Sequence, residues 1–332
     1  MTLETLGLSR RGFFGAALAG GTAVGALGEL TLAAGTANAA APLAGSPMAG
    51  ALRRKVGSFE VTALLDGFLQ LGPDLFVGLD DAEAAKLREA AFVEGTDLTG
   101  PVSAYLVNTG DKLVLIDAGT SDKMGPTLGH LGKALTAAGV TPDQIDAVLI
   151  THLHPDHLFG VLTPDGQKAF PNAELIMPET DKAFWYDDAN MNAAPEQFKP
   201  FFLGARAAAD AYSSTETLFK GDKEILPGIT AKAMPGHTPG HTGYVIDSDG
   251  ERLIIAGDIL HAAVYQFAKP EWAIGFDIDP AQAVAARKAF FDEAASDRVL
   301  FAGMHIPFPG FGYVTRDGDG YRFAAADWPY TF

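Results

Sequence analysis

Cysteine is absent from the chain. Its absence excludes disulfides, thiolate metal sites, thiol nucleophiles and lipid attachment through an N-terminal cysteine, so any metal has to be held by His, Asp or Glu. Positive charge is also short, with 24 Lys and Arg against 41 Asp and Glu for a net charge of −17. Such a chain repels phosphate backbones and anionic headgroups within a Debye length, which argues against nucleic acid or a membrane surface as a partner. Histidine is scarce, with eight in 332 residues. Apolar residues are plentiful at 48%, enough to bury a large core, so disorder is not the default reading.

The first 39 residues differ from the rest. Ser9-Arg10-Arg11-Gly12-Phe13-Phe14 leads into a Gly/Ala/Leu stretch, and Ala37-Asn38-Ala39 places small residues before a cut. Residues 1–39 read as a twin-arginine signal peptide, against the alternatives of an ordinary secretory signal or a membrane anchor; glycine content and Glu29 disfavour a stable span. The expectation is a periplasmic or secreted protein, exported folded and free of the membrane after cleavage. Residues 40–56, rich in Ala, Gly and Pro, read as a flexible leader to a single domain over 57–332.

Within that domain, apolar runs predict strands at 58–66, 103–108, 112–116, 147–150, 174–177, 229–234, 243–247, 252–256 and 298–302. Helices are predicted at 124–138, 181–186, 198–211 and 280–295, with a helical turn at 141–144 and a long irregular loop over 185–200. Two mixed sheets flanked by helices fit this alternation.

The chemistry concentrates in Thr151-His152-Leu153-His154-Pro155-Asp156-His157, just past a predicted strand. Three imidazoles and a carboxylate within six positions read as half of a two-metal site. His237 in Pro235-Gly236-His237-Thr238-Pro239-Gly240-His241, Asp258 at the end of an apolar strand, and His305 after Gly303-Met304 complete it. His152, His154 and His237 offer three nitrogens to one divalent ion, Asp156, His157 and His305 hold a second, and Asp258 bridges both. Nitrogen and carboxylate ligands suit zinc, with manganese, iron or cobalt as alternatives. Two such ions share a bridging hydroxide, a nucleophile at neutral pH that needs no serine or cysteine. Asp117 either orients a ligand or simply forms a turn before Gly119. His241 is better read as pinning the glycine turn than as a ligand. His261, three residues past Asp258, either lines the pocket and protonates a leaving group or caps a strand end.

The ordered set Asp117, His152-x-His154-x-Asp156-His157, His237, Asp258 and His305 resembles the metallo-β-lactamase superfamily over nearly all of the chain after the signal. Ser103-Ala104-Tyr105-Leu106-Val107-Asn108, Gly125-Pro126-Thr127-Leu128-Gly129, Gly236-His237-Thr238-Pro239-Gly240-His241-Thr242, His305-Ile306-Pro307-Phe308-Pro309-Gly310 and Gly320-Tyr321-Arg322-Phe323 narrow the resemblance. They are similar to methyl parathion hydrolase and its lactone- and aryl-ester-hydrolysing relatives. The resemblance implies an α+β, four-layered αββα sandwich with metals at one edge and a homodimer, and the site chemistry makes Asp156, Asp258 and His261 the candidate catalytic residues. The resemblance also implies a pocket built from Trp185, Phe201 or Phe202, Ile274 and Phe276.

A small, neutral, hydrophobic lactone, aryl ester or phosphotriester fits an acidic chain with an aromatic pocket. A glyoxalase-type thioesterase, a β-lactamase, an iron-dependent oxidoreductase and a non-catalytic binding protein are the competing readings. Only Arg316 and Arg322 supply positive charge to the tail, which disfavours glutathione, and the lack of cysteine excludes cysteine-ligated lactamases.

Overall fold

The computed structural model describes residues 43–330 apart from residue 46. The signal segment 1–39 lies outside the described residues. Residues 43–45 and 47, the described part of the N-terminal unit, have no regular secondary structure, and the chain from Met48 onward forms one compact unit.

In chain order the elements are β1 (Ala51–Val56), β2 (Phe59–Leu71), β3 (Phe76–Val77), α1 (Asp81–Ala90), β4 (Leu98–Asn108), β5 (Leu113–Ile116), α2 (Leu131–Ala137) and β6 (Ala147–Leu149). There follow α3 (Pro155–Leu158), β7 (Glu174–Pro178), α4 (Glu179–Tyr186), α5 (Asp188–Ala193), α6 (Lys199–Ala211), β8 (Glu216–Phe219), β9 (Lys223–Leu226), β10 (Ile229–Ala233) and β11 (Thr242–Ser248). The chain closes with β12 (Glu251–Ile255), α7 (Ala263–Gln266), β13 (Ala273–Ile274), α8 (Pro280–Asp297), β14 (Leu300–Ala302), β15 (Phe311–Asp317) and β16 (Gly320–Ala325).

Two seven-stranded sheets result, ordered β1-β2-β4-β5-β6-β7-β8 and β16-β15-β14-β12-β11-β10-β9, with β3 and β13 as a separate ribbon. β4 shows why its sequence reads as one apolar run. Tyr105 and Val107 pack with Val61, Tyr244, Ile246 and Ile255 between the sheets. Ala104 and Leu106 face the opposite way, towards Leu131, Leu135, Phe202 and Ala205 of α2 and α6. A strand covered on both faces has no polar alternation to display. On the outer face of the second sheet, Ile254, Phe301 and Val314 meet Phe290, Phe291 and Ala294 of α8. The layers are α, β, β, α, in one α+β domain.

Several expectations need correction. The leader expected over 40–56 ends earlier, because residues 51–56 pair along their whole length with β2 as β1. The helix expected at 124–138 is only α2; Gly125 and Gly129 take positive φ of 108° and 80°, which holds the preceding stretch in a loop. The irregular loop expected over 185–200 contains α5, started by Asp187, whose side chain accepts the Ala189 N–H. The strand expected at 298–302 begins at Leu300, since α8 runs to Asp297 and Arg298 closes it in the left-handed region.

Candidate metal centre

The residues of the centre lie in loops at the carboxyl ends of parallel strands and in a facing glycine turn. β5, β6 and β7 run parallel, so their ends open at the same edge. Beyond β6 the chain bends at Thr151, and His154, in extended backbone, ends the loop that carries His152 and His154 to the centre. Pro155 then starts α3, and its first turn presents Asp156 and His157.

Around the centre the imidazole nitrogens converge. His154 Nδ1 lies 3.0 Å from His152 Nε2 and 2.9 Å from His237 Nε2. Ligands 2.0–2.1 Å from a tetrahedral zinc are about 3.3 Å apart, so this spacing suits one ion. On the other side, Asp156 Oδ2 lies 3.6 Å from His157 Nε2 and 3.5 Å from His305 Nε2. Asp258 Oδ2 sits between the two groups, 3.1 Å from His157 and His305, 3.3 Å from His237 and 3.6 Å from His152. Of the four His/Asp triads able to hold an ion among the described residues, three are drawn from these seven residues and the fourth joins His237 and Asp258 to His261. His157 Nε2 and Asp258 Oδ1 are buried with no hydrogen-bond partner, an arrangement that costs free energy unless a cation satisfies it.

Three of the imidazoles are held from behind by a carboxylate or a carbonyl. His157 Nδ1 contacts Asp117 Oδ2 at 2.7 Å, His237 Nδ1 contacts Asp277 Oδ1 at 2.8 Å, and His305 Nδ1 donates to the Pro101 carbonyl at 2.7 Å. Such contacts fix the tautomer that leaves Nε2 bare. Asp117 is fully buried at φ 58°, a strained region that Asp tolerates better than most residues, and also accepts the Thr151 N–H at 2.8 Å. It is therefore more than a turn former. His241 directs Nδ1 at the Met234 carbonyl and accepts the Asp258 N–H on Nε2, so both nitrogens are used in pinning the loop. Gly257 is required beside it, because a Cβ there would lie 2.6 Å from His241 Nε2 and φ is +54°.

The electrostatics suit a cation. Burial opposes charge on Asp258, yet His157, His305 and His261 together hold it well below the usual carboxylate range. Burial and the neighbouring His157 push His152 well down, and burial with His237 does the same to His154. Burial would also depress His157 and His237, but carboxylates override it: Asp258 leads in raising His157, and Asp258 with Asp277 raises His237 to about 9.

A cavity of about 600 Å³ shares His154, Asp156, Asp258, His261 and His305 with the centre. Trp185, Phe201, Phe202 and Phe276 line it as expected. Ile274 does not: it is fully buried in β13 among Phe76, Tyr265 and Trp272. Leu69, Leu71, Met124, Phe184 and Phe198 are lining residues that the sequence did not single out, and no Lys or Arg is among the lining residues. His261 stacks on His305 at 5.1 Å and 16°, with Nε2 3.1 Å from Asp258 Oδ2 and Nδ1 buried without a partner. It is a pocket wall rather than a strand cap.

Two buried carboxylates escaped the sequence reading. Asp181 at the start of α4 accepts the Leu153 and Gly240 N–H groups, each at 2.8 Å, and so ties the His152–His154 loop to the His237 turn. Asp277 supports His237. Neither stands in a local pattern that distinguishes it from a surface Asp.

A profile of the Metallo-beta-lactamase superfamily matches residues 98–305, more than half of the chain and all seven of the converging His and Asp residues. The chain belongs to that superfamily. Among solved structures, the metallo-β-lactamase-fold chain is similar to the hydrolase AbOPH, with 32% identity, a TM-score of 0.80, and coverage of 85% of this chain and 99% of that one. It is also similar to AidC, described as a dizinc quorum-quenching lactonase, at 26% identity and a TM-score of 0.81 with the same coverages. A probable metallo-hydrolase, YqjP of Bacillus subtilis (strain 168), is 31% identical over 176 residues, 49% of this chain and 54% of that protein. An N-acyl homoserine lactonase of Bacillus thuringiensis is 25% identical over 179 residues, 48% and 64% of the respective lengths. The chain thus spans about half to two thirds of these curated relatives.

Proposed function

We propose that this protein is a dinuclear metal-dependent hydrolase of small, neutral, hydrophobic esters, with lactones, aryl esters and organophosphate triesters as the substrate class and zinc as the metal. The observation that carries the substrate reading is the pocket wall: aromatic and aliphatic side chains meet the metal-binding cluster, and no cationic side chain is present to pair with an anionic substrate. That wall also disfavours a carboxylate-bearing β-lactam and a glutathione thioester. AbOPH and AidC support the same direction through what their descriptions say of them.

His152, His154 and His237 would hold one ion, and Asp156, His157 and His305 the other, with Asp258 shared. When bound, two such ions supply Lewis acidity and a water-derived nucleophile at neutral pH. The chain contributes the rest. Asp117 and Asp277 fix ring orientations, Trp185 and Phe202 exclude water from one wall, and His261 Nδ1 offers a buried hydrogen-bonding atom to a bound ester. Aromatic faces bind a flat acyl or aryl group through area, worth roughly 25 cal/mol per Å² buried.

A substrate panel tests this reading. Metal-loaded protein should hydrolyse a lactone or naphthyl acetate with kcat/KM at least tenfold above that for a cephalosporin or a glutathione thioester. The opposite order would overturn the neutral-ester assignment.

A further inference from the structure

Arg287 is fully buried, the one Lys or Arg so placed among the described residues. A buried guanidinium is costly unless its donors are met, and here the partners are specific. From the middle of α8 its Nε donates to the Ile259 carbonyl at 2.7 Å, and Nη1 to the Pro270 and Trp272 carbonyls at 2.9 Å each. Nη2 lies 4.0 Å from Asp277 Oδ2, too far for a hydrogen bond but close for opposite charges in a buried setting. Asp277 in turn meets His237 through Oδ1 and accepts the Ile274 N–H on Oδ2 at 3.1 Å.

A second buried side chain joins the same network. Gln266 donates to the Trp272 carbonyl at 2.9 Å, while its Oε1 accepts the His261 and Ala262 N–H groups at 2.7 and 3.0 Å. The 259–277 segment lacks a continuous sheet or long helix to hold it, yet it follows Asp258 directly and carries both His261 and the carboxylate behind His237. Beside the short β13–β3 pairing and the Tyr321 N–H to Phe267 carbonyl bond, Arg287 and Gln266 supply the buried side-chain hydrogen bonds that tie its two ends together.

We propose that Arg287 is a positioning residue for the metal centre: it fixes Asp277 against His237 Nδ1 and anchors Ile259 behind Asp258, so both groups meet the ions already oriented. This rests on the metal-centre reading above. A merely structural Arg287 would affect folding alone. A positioning Arg287 affects how firmly an ion is held.

The test uses the metal-loaded full chain and measures ion release to a chelator, metal content and the unfolding temperature of the metal-free form. Arg287→Met and Asp277→Ala should each release one of two ions at least tenfold faster, with Arg287→Lys intermediate. The double variant should release ions more slowly than the product of the two single effects predicts, because Asp277 lies on one of the two routes from Arg287 to the centre. Phe290→Leu, in the same helix but outside the network, should lower the unfolding temperature and leave release unchanged. Wild-type release rates in Arg287→Met, or equally fast release in Phe290→Leu, would overturn the proposal. If Arg287→Met does not fold, Arg287→Lys and Asp277→Ala decide by the same criteria. A wild-type protein that binds no metal overturns the underlying centre instead, which separates the two failures.

Discussion

At the residue scale, the seven His and Asp residues singled out from the sequence converge, because their chemistry and spacing were both visible. What surrounds them was not. Asp277 and Asp181 look like any other Asp in the chain, and only the fold reveals that each is buried against a metal-binding loop. Ile274 shows the reverse: an apolar residue near the pocket in sequence points into the core. Two outcomes follow at this scale. Asp258→Ala removes the carboxylate placed between both groups, so activity should fall by more than about 100-fold and metal content by about one ion per chain, measured by elemental analysis. His130→Ala should change neither. The second concerns protons. Without metal, carboxylates raise His157 and His305 above their ordinary pKa and hold His237 at about 9, so the His237 ring carries a proton at neutral pH that an ion has to displace. Metal affinity should therefore rise with pH through the range 6–9, with proton release detectable by titration calorimetry in buffers of different ionisation enthalpy.

At the scale of elements, strands buried on both faces and the amphipathic α6 were legible from apolar runs and periodicity. Short or polar elements were not: α1, α5, β15 and β16 carry weak patterns, and β1 is hidden in a sequence of Ala, Leu, Arg and Lys whose role is set by pairing with β2. The loops that carry the centre depend on Asp181 of α4, which joins Leu153 to Gly240. Asp181→Ala strands two N–H donors in a buried site, at a cost of about 3 kcal/mol in total. The expected result is a fall of several degrees in Tm, together with weaker metal retention, measured by thermal unfolding with and without a chelator.

Over the whole molecule, the αββα layering was implied by the order of the metal-binding motifs and agrees with what strand and helix alternation suggested. Composition speaks at this scale too. A net charge of −17 and a pocket without cationic side chains should make kcat/KM for neutral esters insensitive to ionic strength, whereas that for an anionic ester should be low and rise with added salt. Steady-state assays between 10 and 300 mM NaCl would check this. Export by the twin-arginine route is our proposal from the sequence. Replacing Arg10 and Arg11 by Lys should leave the precursor in the cytoplasm, and normal export of that variant would point to the general secretory route.

His154 alone among the converging imidazoles offers Nδ1 rather than Nε2 to the centre. Nδ1 is three bonds from Cα, the reach of an Asp or Asn oxygen, whereas Nε2 is four bonds away, the reach of Glu or Gln. The position therefore sets a rule of exchange. His154→Asp keeps a donor atom at the right radius and converts a neutral arm into an anionic one, whereas the corresponding exchange at His152, His237 or His305 requires the longer Glu.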